Sequence, residues 1–292
     1  MWFTVLSVFL CLLSWLDQSR AGRDLNTRLR LKIDYHQSCL RRSSHRWVEK
    51  IRFPDMNDSK LFSSKKRPGC YRIGGLTQVE GIVRNSLNVH LEVKTQLRDE
   101  DGKWQVPMPC QNYNAESGCG GFGSCLYCNP CKKRKERKRF EGAKTGAYIK
   151  IGQERLSCDH KFAQGDNPNV YLHFCMPTKK ELMRNYNMDE ATFDSLVKDS
   201  PNGLQVFLFM RVFDTESVKS LHAAHLKEEV KYRRRHNLSP SEPIPRDVFL
   251  STSFGQMVFG PRPSGYIACH MMKGRVTMPL RPTRRKNRRG QS

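Results

Sequence analysis

Cys125-Leu126-Tyr127-Cys128-Asn129-Pro130-Cys131 places three thiols at three-residue intervals, and Cys158-Asp159-His160 lies downstream. That set could supply four tetrahedral zinc ligands. The competing chemistry is oxidation to disulfides, and the compartment decides between the two. Residues 1–21 read as a secretory leader. The stretch from Trp2 to Leu16 is apolar apart from Thr4, Ser7 and Ser14, and Ser19-Arg20-Ala21 offers small residues for cleavage. It is shorter than the roughly 20 apolar residues a membrane span needs. An exported chain meets oxidising conditions. Its ten remaining cysteines (39, 70, 110, 119, 125, 128, 131, 158, 175 and 269) therefore read as a disulfide framework, and no metal or other cofactor is expected. A redox-active CxxC needs a thiolate-stabilising helix start, against which Asn129-Pro130 argues.

Other chemistry is sparse. The sequence has no GxSxG, HExxH or P-loop motif, and its nine histidines are scattered. His90 falls on the polar face of a strand pattern and is expected to be solvated. His222 and His225 fall on a helix pattern, with surface or packing roles expected. Asp99-Glu100-Asp101-Gly102 reads as a turn between Leu97 and Trp104. The expectation is a protein without catalytic activity.

The elements that must carry these residues are mainly strands. Leu29, Leu31, Ile33 and Tyr35 alternate with polar residues, as do Leu87, Val89, Leu91 and Val93. Period-2 alternation predicts one buried face and one wet face. Residues 47–53 repeat the pattern weakly. Residues 70–83 suggest strands broken at Gly74-Gly75. Residues 204–213 are almost wholly apolar, so both faces should be covered, and 265–272 resemble them. The predicted fold class is all-β, an antiparallel sandwich with one or two inserted helices. Those helices are predicted over 188–197, with Asp189 as N-cap, and over 215–232. Residues 239–263, rich in Pro and Ser, are expected to form a loop. Asn57-Asp58-Ser59 and Asn237-Leu238-Ser239 are glycosylation sequons, the second followed by Pro240.

Three basic runs carry most of the net charge of +23. Residues 132–139 hold seven bases and one acid, 231–236 hold four bases, and 281–289 hold six. Such runs stay solvated and suit anionic lipid, heparin-like glycans or nucleic acid.

The order of strands and cysteines between 87 and 128 resembles the ganglioside-activator branch of the ML lipid-recognition family. The residues concerned are Val89-His90-Leu91-Glu92-Val93-Lys94, then Gly102-Lys103-Trp104, Met108-Pro109-Cys110, Gln111-Asn112-Tyr113, Cys119 and Cys125. Val48-Glu49-Lys50-Ile51-Arg52-Phe53-Pro54-Asp55, Cys175-Met176-Pro177-Thr178-Lys179, residues 203–213 and Gly265-Tyr266-Ile267-Ala268-Cys269 are similar to further family segments. The likeness is discontinuous and covers about half of the mature chain. It implies an immunoglobulin-like antiparallel β-sandwich stapled by disulfides, with bridges Cys39–Cys269, Cys110–Cys119 and Cys125–Cys175. It also implies a secreted or lysosomal, non-enzymatic lipid-binding and transfer protein that holds acyl chains between two sheets. Leu87, Val89, Leu91, Val93, Val206, Leu208, Met210, Ile267 and Met271 would line the interior. Implied partners are a glycolipid or phospholipid, anionic membrane surfaces or glycosaminoglycans, and a lysosomal hydrolase. The domain reading is 1–21 leader, 22–278 one lipid-recognition-like domain with inserts near 132–157 and 215–263, and 279–292 a disordered basic tail. The alternative is an extracellular polyanion-binding module without lipid cargo.

Overall fold

The computed structural model describes residues 26–39, 50–57, 59–65, 67–81, 87–97, 102, 105–128, 148–152, 154–155, 162–197, 202–214, 216–239, 242, 244–260 and 265–278. The leader, Trp104, Cys131, Cys158, His160, the basic runs 132–139 and 281–289, and the tail lie outside the described residues.

Strands dominate, and among the described residues the paired strands all run antiparallel. One five-stranded sheet runs in the order β1 (Arg30–Ser38), β13 (Ala268–Thr277), β12 (Leu204–Phe213), β6 (Asn88–Lys94), β7 (Leu126–Cys128). A second runs β3 (Ser59–Ser63), β4 (Cys70–Gly75), β11 (Val170–Cys175), β8 (Tyr148–Ile151), β9 (Glu154–Arg155). A small sheet joins β10 (Gly165–Asn167), β5 (Thr77–Val79) and β2 (Ile51–Arg52). Leu31, Val89 and Leu208 of the first sheet share one hydrophobic core with Ile73, Ile149 and Leu172 of the second.

The alternation predicted for β1 holds only as far as Ile33. Its register against β13 shifts between Ile33 and Tyr35. A bulge inserts one residue and so exchanges the two faces beyond it. Tyr35 is consequently exposed, and His36 turns into the protein.

Five helices lie among the described residues: α1 (Lys179–Asn185), α2 (Glu190–Val197), α3 (Ser217–Arg235), α4 (Arg246–Leu250) and α5 (Ser253–Phe259). Thr178 and Glu181 form a reciprocal capping box that starts α1. Asp189 accepts from the Thr192 amide at 2.7 Å and starts α2. The loop expected over 239–263 instead contains α4 and α5. Thr252 caps α5 through the Gly255 amide, and Phe254 and Val258, four residues apart, drive one face into the protein.

That helical insert corrects a second expectation. The polar face of β6 is not wet. Asn88, His90, Glu92 and Lys94 are all buried, His90 to 1% exposure. Val218, Phe254 and Val258 of the helices pack with Leu126 and Phe213 of the sheet, and the rings of Phe254 and Phe259 meet His90 edge-on. A helix-covered sheet face excludes water whatever its residues are, so β6 reads as amphipathic while having no solvent face.

Candidate functional site

Among the described residues four disulfides set the frame: Cys39–Cys269, Cys70–Cys175, Cys110–Cys125 and Cys119–Cys128. The first joins the end of β1 to β13, neighbours in the first sheet. The pairings Cys110–Cys119 and Cys125–Cys175 are not formed. Cys175 lies directly opposite Cys70 in the β11–β4 register, which takes it away from Cys125. Cys125 meets Cys110 across the hairpin-like loop in which Gln111 and Phe122 bond reciprocally at 2.7 Å. Cys125 and Cys128 are thus oxidised, and among the described residues no three His, Cys, Asp or Glu side chains converge to hold a metal.

Between the sheets lies a cavity of about 180 Å³. The first sheet contributes Leu91, Val93, Val206, Leu208 and Met210; the second contributes Leu172 and Phe174. The loop closed by Cys110–Cys125 adds Met108, Phe122, Gly123 and the ring of Tyr127. α1, α2 and their connection complete the wall with Leu182, Met188, Phe193, Leu196 and Val197. Leu196 is 43% exposed, which puts the mouth at α2. No charged side chain lines the cavity among the described residues. The polar tips of the tyrosines turn outward to backbone: Tyr127 donates to Gly121 O and Tyr186 to Pro109 O, both at 3.4 Å. Burial pushes the Tyr186 hydroxyl well above its ordinary pKa, so it stays a neutral donor. Gly123, at φ +98°, leaves space for that hydroxyl; a Cβ there would strike both it and Pro109 O.

Five of the nine interior residues named from the sequence, Leu91, Val93, Val206, Leu208 and Met210, meet in this wall. Leu87, Val89 and Ile267 pack in the core without lining it. Met271 points to the other face of β13, and its neighbour Met272 takes the wall position. Sequence reasoning missed the wall made by α1. The signal was present as Thr178 followed three residues later by Glu181, the spacing of a capping box.

The mouth helices are held together by one buried cation. Lys179 Nζ reaches Glu190 at 2.5 Å and Asp194 at 3.2 Å, and lies 4.9 Å from the centre of the Phe193 ring. Burial works against its charge. The two carboxylates outweigh that effect and raise its pKa.

A Ser–His–His chain also lies between the sheets. Ser59 Oγ is 2.8 Å from His36 Nε2, and His36 Nδ1 is 3.0 Å from His270 Nε2. The connectivity is that of a nucleophile, a base and an orienting group. Among the described residues His270 Nδ1 has no hydrogen-bond partner. With its proton on Nε2, His270 would donate to His36 Nδ1, and His36 Nε2 would donate to Ser59, whose hydroxyl faces Met56 O at 3.5 Å. The chain ties β1, β13 and β3 together. Burial lowers the pKa of His36, and lowers that of His270 to about 3.

On the helix-covered face, His90, His222 and His225 form a second neutral group. His222 Nδ1 lies 2.8 Å from Gly118 O and His225 Nδ1 lies 2.6 Å from Thr252 Oγ1. Burial lowers His222 to about 3 and His225 to about 4, and drives His90 well down. Beside them Glu92 is held between Arg211 and Lys94, the latter at 2.8 Å. Burial raises the Glu92 carboxyl, but its two cations bring the pKa below the ordinary value. Asn57 and Asn237 are both exposed, Asn237 at φ +53° just beyond α3.

No family model and no curated protein matches this sequence.

Proposed function

We propose that the chain is a secreted, non-enzymatic lipid carrier of the ganglioside-activator-like ML type. In this reading the two large sheets form an immunoglobulin-like sandwich that shelters an acyl chain. The observation that carries the reading is the uncharged cavity of about 180 Å³ between the sheets. Apolar cavities of about 150 Å³ stay dry and take up benzene-sized molecules. Five methionines in the wall (108, 176, 188, 210 and 272) give it the adaptability that variable hydrocarbon requires. With no cation inside, a polar or charged headgroup would stay at the α2 mouth. The four disulfides among the described residues are compatible with an oxidising compartment and support the reading.

The test is lipid mass spectrometry of protein secreted from eukaryotic cells, with Leu208→Trp as its counterpart. The indole would fill the cavity centre at about 1–3 kcal/mol of overpacking. The wild type should carry acyl lipid and exchange it between vesicles, and the folded variant should lose both. Repeated isolation of an empty wild-type protein with no vesicle exchange would remove the reading.

A further inference from the structure

A groove of about 270 Å³ runs between α3 and the loop that bears Cys110, on the other side of the first sheet from the lipid cavity. Tyr113 stands on the loop bank, and Leu226, Val230 and Leu238 give the groove an apolar floor. Val230 is 41% exposed there. The acid in the groove is already neutralised: Glu229 accepts from Arg233 Nε at 3.1 Å. Arg233 Nη1 is also committed, to Ser239 O and Glu242 O, both at 2.7 Å. Arg234 lines the groove, and Lys227, Lys231 and Arg235 continue its charge along α3; all four are exposed. Their spacing of four, seven and eight residues places them along one side of the helix. At 1.5 Å per residue they extend over about 12 Å. Glu228, bonded to Lys231 at 2.6 Å, offsets one of the four charges.

We propose that this groove binds a sulfated glycan chain, with sulfates on Lys227, Lys231 and Arg234 and the apolar face of a sugar ring against Tyr113 and Val230. Charge complementarity selects a polyanion. The single file of cations suits a linear chain better than a membrane plane. A membrane-docking face would also need several exposed apolar side chains to insert, and among the described residues of this groove Val230 is the large hydrophobic that is exposed, while Leu226 is buried. The inference is independent of the lipid reading.

The full secreted chain is tested against a size-defined heparin oligosaccharide and against vesicles containing phosphatidylserine. The variants are the triple Lys227→Gln, Lys231→Gln, Arg234→Gln, a charge-matched triple on the sheet surface (Arg30→Gln, Lys32→Gln, Lys273→Gln), and Val230→Trp. The groove triple should weaken oligosaccharide binding about tenfold, at about twofold per exposed charge. The sheet triple should change it less than about twofold, because salt screens distant charges. Val230→Trp should also weaken binding, although it changes no charge. Lipid retention should be unaltered throughout. Equal losses in the two triples would mean bulk attraction only, and an unaffected groove triple or Val230→Trp would remove the site. A loss confined to vesicle binding would assign the patch to membranes; each of these outcomes overturns the proposal.

Discussion

Lowering the pH from 7.4 to 5 should strip this protein of much of its stability. His222, His225 and His270 are buried and neutral, with pKa values lowered to about 3, 4 and 3. In the unfolded chain each returns to about 6.5. Below that value the unfolded state binds protons that the folded state refuses, so stability falls as pH drops from 6.5 toward the folded values. At pH 5 each histidine costs about 2 kcal/mol, and the three together about 6 kcal/mol. A typical domain has roughly 5–15 kcal/mol in all. His36 and His90, also lowered, act in the same direction.

The facing groups do not cancel this. Arg211 is a cation and, after burial, adds to what makes protonation of His90 harder. Glu92, with its lowered pKa, loses stabilisation only below its ordinary range near 4.5. Glu229 has a raised pKa and opposes the trend, since folding favours its protonated form, but only in the window between 4.5 and its own folded value. Urea unfolding followed by circular dichroism at both pH values measures the difference. His222→Asn, which keeps a donor toward Gly118 O, should flatten the pH dependence by about a third. A difference under about 1 kcal/mol between pH 7.4 and 5 would refute the reasoning. The magnitude also bears on compartment: at neutral pH the histidines are uncharged in both states, whereas at acidic pH they are charged in the unfolded chain alone and the folded state loses stability.

Two further perturbations test the polar cover and the cavity mouth. Glu92→Gln leaves Arg211 and Lys94 buried without a counter-charge and should cost about 3–5 kcal/mol, read as a lower urea midpoint. A variant as stable as the wild type would mean that the triad is hydrated. Lys179→Ala cuts the tie between α1 and α2 and should speed exchange of bound acyl lipid severalfold with only about 1–2 kcal/mol lost. Unchanged exchange kinetics would show that the mouth opens elsewhere.

The strands were legible because their signals are local: alternation for β1 and β6, apolar runs for β12 and β13, all of which appear near their expected positions. Five of the interior residues that the resemblance implied line the cavity. What escaped depends on what packs outside a strand. Nothing in Asn88, His90, Glu92 and Lys94 distinguishes a face wetted by solvent from one roofed by a helix that enters more than a hundred residues later. α4 and α5 were hidden by the Pro and Ser content of 239–263, although Phe254 and Val258 have helical spacing. The bulge at Ile33–Tyr35 needs no Gly or Pro, so alternation alone placed Tyr35 inside. The pairing of Cys70 with Cys175 required the β4–β11 register, which no spacing reveals.

The cover that hid β6 explains a feature that would otherwise be costly. A helix-covered sheet face is ordinarily apolar, but this one presents His90 and a Glu92–Arg211–Lys94 cluster to His222 and His225 of α3. Glu92 offsets one of the two cations, and Arg211 also lies 5.5 Å from the ring centres of both Phe209 and Phe259. Buried ion pairs of this kind add little net stability over apolar packing. Their demand for specific partners instead allows α3–α5 to seat in one position. The inter-sheet side has the opposite character, with an apolar wall and one polar chain at His36 and His270. Acid should therefore act first where charge is already crowded. If the same pH titration is read by hydrogen exchange, α3 amides should lose protection before those of β12. Simultaneous loss would instead mean that helices and sheets unfold as one unit, with His270 in the core as the controlling group.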